Sequence, residues 1–170
     1  MTYVFDATPL ISLASVDRLD LVTALERACR LPERVHEEVV TAGVEAGYAD
    51  ARRVERAIED DRLAVERAPE TSLATQLARS DALSDADVAV LALAADLDGT
   101  AVMDERHGRA IAGAEGIPTR GTAYVVLTAQ QRGYIDADTA GTTVDELLDA
   151  GWYCAPDLYA KIRDKIDDIE

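Results

Sequence analysis

The sequence is poor in cysteine, in long apolar runs and in positive charge, and each shortage excludes a class of protein. Its two cysteines, Cys29 and Cys154, lie far apart and form no C-x-x-C pair, which argues against a disulfide framework or a cysteine metal site. We expect two reduced thiols in a cytoplasmic protein. The longest wholly apolar run, 88–95, is far too short to cross a bilayer. The first residues show no signal-peptide pattern, so neither export nor membrane association is expected.

Positive charge is outweighed almost two to one. The chain has 33 acidic and 17 basic residues, a formal net charge of −16, and only two lysines, Lys161 and Lys165. This acidic, lysine-poor composition is typical of a halophilic cytoplasm, where net charge keeps proteins soluble; a mildly acidic mesophilic protein fits it less well. At about 1 M salt the Debye length is only about 3 Å. Net charge therefore argues against broad electrostatic DNA binding without excluding a nucleic-acid substrate.

Short β-favouring runs alternate with helical patterns along the chain. The expected strands lie near 3–5, 29–31, 62–66, 100–103 and 117–119. Strands that alternate with helices predict a parallel sheet covered on both faces, which is a three-layer α/β/α fold with about five short strands. We expect residues 1–170 to form a single domain, in which 133–170 is a helical C-terminal extension. The turn after the first strand is not glycine-rich, which argues against a dinucleotide-binding protein.

Acidic residues follow two of the predicted strands. Asp6 ends the first strand, where Thr8 is the expected N-cap and Pro9 the first residue of a helix. Asp104 and Glu105 follow the fourth strand. Ligands of α/β proteins collect at the carboxyl ends of parallel strands, although Asp6 taken alone is better explained as a polar residue that ends a strand, and Asp104 and Glu105 also suit a polar turn. Successive residues of an extended chain point to opposite sides, so we favour Asp104 over Glu105 as the member that faces the cluster.

Two further acidic residues lie on helix faces that the pattern predicts to be buried. Asp87 belongs to the most apolar helix of the chain, and Glu38 lies beside Val35 and Ala42 on an earlier one. Burying a carboxylate is unfavourable unless a partner neutralises it. Asp87 also suits a capping pair with Ser84, and both readings are open. Four converging carboxylates could not all stay ionised without a cation, and oxygen ligands favour Mg²⁺ or Mn²⁺.

The order and spacing of the acidic segments are more specific than any one of them. In chain order they are Asp6 with Thr8 and Ser12, Leu31-Pro-x-x-Val35-x-x-Glu38-Val39, Leu83-Ser-x-x-Asp87-x-x-x-Leu91-Ala-x-Ala94, and Val102-Met-Asp104-Glu105-x-x-x-Arg109-x-x-Ala112. Gly121-Thr122 then begins the next helix. Over roughly the whole chain this arrangement resembles the PIN domains, the nuclease fold of VapC-type toxins and related RNA-processing enzymes.

The resemblance implies a metal-dependent endoribonuclease. The residues expected to hold one or two Mg²⁺ or Mn²⁺ ions are Asp6, Glu38, Asp87 and Asp104. Supporting roles fall to the Ser12 hydroxyl, to Glu105 as the alternative to Asp104, and to Arg109, whose charge suits a phosphodiester. The resemblance further implies a toxin with a small antitoxin partner, and a homodimer. The alternative is a catalytically inactive scaffold of the same fold that binds RNA or a protein.

Overall fold

The computed structural model describes residues 1–169, and its strands form one five-stranded sheet. The strands are β1 Thr2–Phe5, β2 Ala28–Pro32, β3 Ala64–Glu66, β4 Thr100–Val102 and β5 Thr119–Arg120. All neighbours are parallel, in the order β3-β2-β1-β4-β5. The predicted parallel sheet is confirmed, although β5 begins two residues later than its sequence pattern placed it.

Helices cover the sheet on both faces. They are α1 Ala7–Ser15, a 3₁₀ helix Leu19–Leu25, α2 Glu33–His36, a π-helical turn Glu37–Thr41, α3 Ala42–Glu45, α4 Ala49–Glu59, α5 Ser72–Leu77, α6 Asp85–Asp96, α7 Arg106–Ala114, α8 Thr122–Gln131, α9 Ala137–Asp149 and α10 Pro156–Asp168. Helix α6 packs on β1, β2 and β4 and against α2 and α5, whereas α1 packs against α4, α8 and α9. The three-layer α/β/α fold is therefore confirmed.

The predicted C-terminal extension, 133–170, is helical in the part that the structure describes. It contains α9 and α10, which pack on α8 and on each other; residue 170, the last of the predicted domain and extension, lies outside the described residues. Cys29 and Cys154 are unpaired, as expected. No helix within 1–169 is long and apolar enough to span a membrane.

The central strands are buried on both faces, as parallel strands between two helical layers must be. Val4 and Phe5 of β1 are fully buried, and so are Ala101 and Val102 of β4. The strand order reverses at β1, which has β2 on one side and β4 on the other. In open α/β sheets such a reversal leaves a crevice at the carboxyl ends of the strands. The Asp6 backbone N–H donates to the Val102 carbonyl at 2.9 Å, at the floor of this crevice.

Candidate functional site

Asp6 is the N-cap of α1 and lies directly at the end of β1. Its backbone is extended, and its Oδ1 accepts a hydrogen bond from the Ala7 N–H at 2.8 Å. The expectation that Thr8 caps this helix and Pro9 begins it is wrong, because aspartate supplies the cap two residues earlier. The consequence is a carboxylate that is only 6% exposed and is fixed at the positive end of a helix.

The surroundings of Asp6 disfavour its ionised form. The pKa of Asp6 is raised to about 6: burial is the largest cause, the Ala7 hydrogen bond opposes it, and the negative charges of Asp87, Glu38 and Asp104 add to it. The carboxylates that the sequence singled out thus act on the same buried group. Strands β1 and β4 supply two of the four, and the helices after β2 and before β4 supply the others.

Asp104 is held by donors from two distant parts of the chain. The Thr122 backbone N–H donates to its Oδ1 at 2.8 Å, and the Thr122 hydroxyl donates to its Oδ2 at 2.6 Å. The Trp152 indole N–H donates to the same Oδ2 at 3.2 Å. Both oxygens are therefore fixed at the start of α8, and the predicted C-terminal extension contributes directly to this position.

Glu105 has a different structural role. It is exposed and caps α7, where its carboxylate accepts hydrogen bonds from the backbone N–H groups of His107 at 2.8 Å and Gly108 at 2.6 Å. Partial burial acts to raise the pKa of Glu105, but these two hydrogen bonds outweigh it and lower the pKa. The two neighbouring carboxylates therefore have different partners: Asp104 is hydrogen-bonded to Thr122 at the start of α8, and Glu105 caps the start of α7.

Glu38 does not lie on a buried face, so that expectation is wrong. Glu38 and Ala42 are both exposed, whereas Val35, Val39 and Val40 are buried. The physical reason is that the buried face runs through Val35, Val39 and Gly43 at four-residue spacing, and Glu38 and Ala42 each lie one position before it on the exposed side. Glu38 still lies near enough to Asp6 to raise its pKa.

Asp87 is half-buried and completes a capping box at the start of α6. Its Oδ2 accepts from the Ser84 N–H at 2.9 Å, and the Ser84 hydroxyl accepts from the Asp87 N–H at 3.1 Å. The capping reading is thus confirmed, and Asp87 also faces Asp6 closely enough to affect its pKa. Asp87 can therefore serve both as a capping residue and as a member of the acidic cluster, because the cap uses only one of its two carboxylate oxygens, Oδ2.

We expect Asp87→Ala to be less stable than Asp87→Asn by about 1 kcal/mol in chelator. Both substitutions remove a negative charge near Asp6, but only asparagine keeps an oxygen that can accept from the Ser84 N–H. Urea unfolding of the two variants and the wild type measures the difference. Equal stability of the two variants would contradict a stabilising role for the capping box.

Arg109 and Ser12, the predicted supporting residues, lie in different parts of the fold, Arg109 on α7 and Ser12 on α1. A Cβ placed on Gly121 would lie 2.9 Å from the Asp104 Oδ1 and 3.2 Å from an Arg109 guanidinium nitrogen. A residue without a side chain at Gly121 therefore lets Arg109 approach Asp104. Ser12 is half-buried on α1, and among the described residues its hydroxyl makes no hydrogen bond to Asp6. Its supporting role stays a prediction.

Sequence reasoning missed the aromatic residues beside the acids. Trp152 and Tyr153 follow α9, and Tyr124 lies in the first turn of α8, where the Arg120 guanidinium stacks on its ring at 5.2 Å. The available signal was the lone tryptophan in a chain with 5% aromatic residues. Position in the sequence alone does not link Trp152 to Asp104, because 48 residues separate them.

Comparison with protein families agrees with this geometry. The sequence model of the DUF3368 family, described as a PIN domain, matches residues 2–168. The chain belongs to the PIN-domain family. Membership indicates nuclease activity and nucleic-acid binding in general, and PIN nucleases generally use divalent metal ions. A comparison with curated proteins finds no match.

The carboxylates of this PIN domain suit a hard divalent cation by their chemistry. They offer oxygen donors only, and the raised pKa of the Asp6 carboxyl reflects burial first and repulsion by other carboxylates second, both of which a bound cation would offset. In their present conformations no three acidic, histidine or cysteine side chains of residues 1–169 form a chelating group. Asp6, Asp87 and Asp104 are instead each hydrogen-bonded to nearby donors. The donor set fits a metal, and the side chains are not gathered around one.

Proposed function

We propose that this PIN domain is an endoribonuclease that depends on Mg²⁺ or Mn²⁺. The observation that carries the proposal is a buried Asp6 at the strand reversal of a parallel sheet, whose pKa is raised first by burial and then by three further carboxylates nearby. The residues that would hold the ion are Asp6, Glu38, Asp87 and Asp104. When bound, the ion would supply positive charge that polarises a scissile phosphate.

The protein's own residues would position both sides of the reaction. Thr122 and Trp152 fix the Asp104 carboxylate, so its orientation would not have to be established during catalysis. Arg109, which like Asp104 lies beside Gly121, would bind the non-bridging oxygens of the scissile phosphate. The buried Asp6 would provide a rigid anchor at the floor of the crevice.

A cleavage assay tests this function. Single-stranded RNA and DNA of the same sequence are incubated with the protein in Mn²⁺, Mg²⁺ or chelator. We expect internal cleavage of RNA that requires the metal. The double variant Asp6→Asn/Asp104→Asn, purified in parallel, controls for contaminating nucleases. RNA that is bound but not cut under any metal condition would instead favour the inactive scaffold.

The biological role that we propose for this nuclease is that of a toxin. Its support is the resemblance to VapC-type proteins. On the same basis we propose that a small antitoxin protein covers the acidic crevice and that the nuclease is a homodimer. We also propose that residues 1–170 form a single domain. Co-expression with the product of the adjacent open reading frame tests the pairing: growth inhibition by the nuclease alone, without relief by that product, would reject it as the antitoxin.

A further inference from the structure

A groove of about 510 Å³ leads away from Asp104. Its walls are α7, the first turn of α8, the segment 152–155 that precedes α10, and the first turn of α10. The volume lies within the range of pockets that hold small organic ligands. Because the groove begins at a proposed catalytic carboxylate, whatever occupies it lies next to the reacting bond.

Tyr153 is presented to this groove from a fixed stretch of chain. Its side chain is 85% exposed, whereas the preceding Trp152 is 8% exposed and is hydrogen-bonded to Asp104. The following Cys154 is half-buried and also lines the groove. A largely exposed aromatic ring, on a backbone anchored to the site, is a stacking platform for another flat ring.

The charged residues of this groove distinguish it from a second groove that is also lined by Trp152 and Tyr153. Arg106 and Arg109 line it, and neither forms an ion pair with another described residue. Asp104 and Asp157 also line it, so its charges balance in a chain of net charge −16. The second groove lies along α1 and has Asp50 but no arginine. A phosphate chain is therefore better accommodated in the groove of Arg106 and Arg109.

We propose that this groove binds the nucleotide adjacent to the scissile phosphate of a single-stranded RNA, with its base stacked on Tyr153 and its own phosphate on Arg106, while Arg109 binds the scissile phosphate. The inference rests on the proposed ribonuclease function. Guanidinium groups bind phosphate, and a base stacked on an aromatic side chain contributes about 1–3 kcal/mol. The bases of a duplex are already stacked and paired, so the groove selects an unpaired nucleotide.

Binding in chelator separates recognition from cleavage. A fluorescently labelled single-stranded RNA and its duplex are titrated with wild type, Tyr153→Ala, Tyr153→Phe and the control Tyr48→Ala, which truncates an exposed tyrosine outside the groove. We expect Tyr153→Ala to raise the Kd for the single strand roughly tenfold. Tyr153→Phe and Tyr48→Ala should stay near wild type, and duplex binding should not depend on residue 153. Trp152, the only tryptophan, should change its fluorescence on binding.

Kinetics in Mn²⁺ provide the second measurement. Tyr153→Ala should raise KM far more than it lowers kcat, because the stacked base contributes equally to the ground and transition states. Tyr153-dependent binding without any cleavage would reject the ribonuclease function and leave the groove assignment standing. Cleavage with the same Kd and KM in Tyr153→Ala as in wild type, or no measurable single-strand binding by wild type, would overturn the groove assignment. Melting curves verify that each variant is folded.

Discussion

Asp6→Asn is expected to abolish metal-dependent RNA cleavage and to stabilise the metal-free protein at the same time. Asparagine keeps an oxygen that can accept from the Ala7 N–H, so the start of α1 is preserved. It removes a buried charge that burial and three neighbouring carboxylates oppose. A carboxyl pKa of about 6 against an ordinary 3.8 corresponds to a gain on the order of 3 kcal/mol at neutral pH. Urea unfolding in chelator and a cleavage assay in Mn²⁺ measure the two effects.

The same substitution should remove a pH dependence of stability. The pKa of Asp6 is raised in the folded protein, so the folded state binds this proton more tightly than the unfolded chain. Wild-type stability in chelator should therefore rise as the pH falls from about 7.5 to about 5, and this rise should be smaller in Asp6→Asn. The lowered pKa values of the capping carboxyls Glu105 and Asp136 act in the opposite direction, at more acidic pH.

Asp136→Asn is the matched control for Asp6→Asn. Asp136 is also a helix N-cap and its substitution changes net charge equally, but it is exposed and hydrogen bonds with Thr139 lower its pKa. Asp136→Asn should leave cleavage unchanged and should not stabilise the protein. Cleavage at the wild-type rate in Asp6→Asn would remove Asp6 from the active site. If the unfolding free energy of Asp6→Asn is no higher than that of Asp136→Asn, the idea that the ionised Asp6 destabilises the metal-free protein is contradicted.

Asp104→Ala is expected to weaken both Mn²⁺ binding and RNA cleavage at least tenfold, which is about 1.4 kcal/mol. Asp104 lies half-buried beside Asp6, and hydrogen bonds from Thr122 and Trp152 fix both its oxygens. Glu105→Ala should affect both much less, because the Glu105 carboxylate caps α7. Its main expected effect is a loss of about 1 kcal/mol in unfolding free energy. Calorimetric titration of Mn²⁺ into both variants, with urea unfolding, provides the comparison.

Asp104→Asn separates lost charge from lost packing in this experiment. It keeps an acceptor for the Thr122 N–H, so the start of α8 should hold its structure while a metal ligand is weakened. We therefore expect Asp104→Asn to bind Mn²⁺ poorly and to remain as stable as wild type in chelator. A larger loss of Mn²⁺ affinity in Glu105→Ala than in either Asp104 variant would reverse the assignment.

The sequence alone determined the sheet and the acids that end its strands. Apolar runs such as 3–5 and 100–103, each followed by aspartate, depend on local alternation and on the direction of the chain, and both can be read without a structure. The order of the four acidic segments identified the PIN family, to which the chain belongs. The capping pair of Ser84 and Asp87 could also be predicted from the sequence, because a capping box involves residues only three apart.

Tertiary structure alone decided how the acids are oriented and what surrounds them. The buried face of the Glu38 helix runs through Val35, Val39 and Gly43, and Glu38 is left on the exposed side. Asp104 is held by Thr122 and Trp152, which lie 18 and 48 residues further along the chain. Local preferences specify which elements form. The packing of distant helices onto one sheet edge decides which side chains meet there, because those contacts depend on the whole fold.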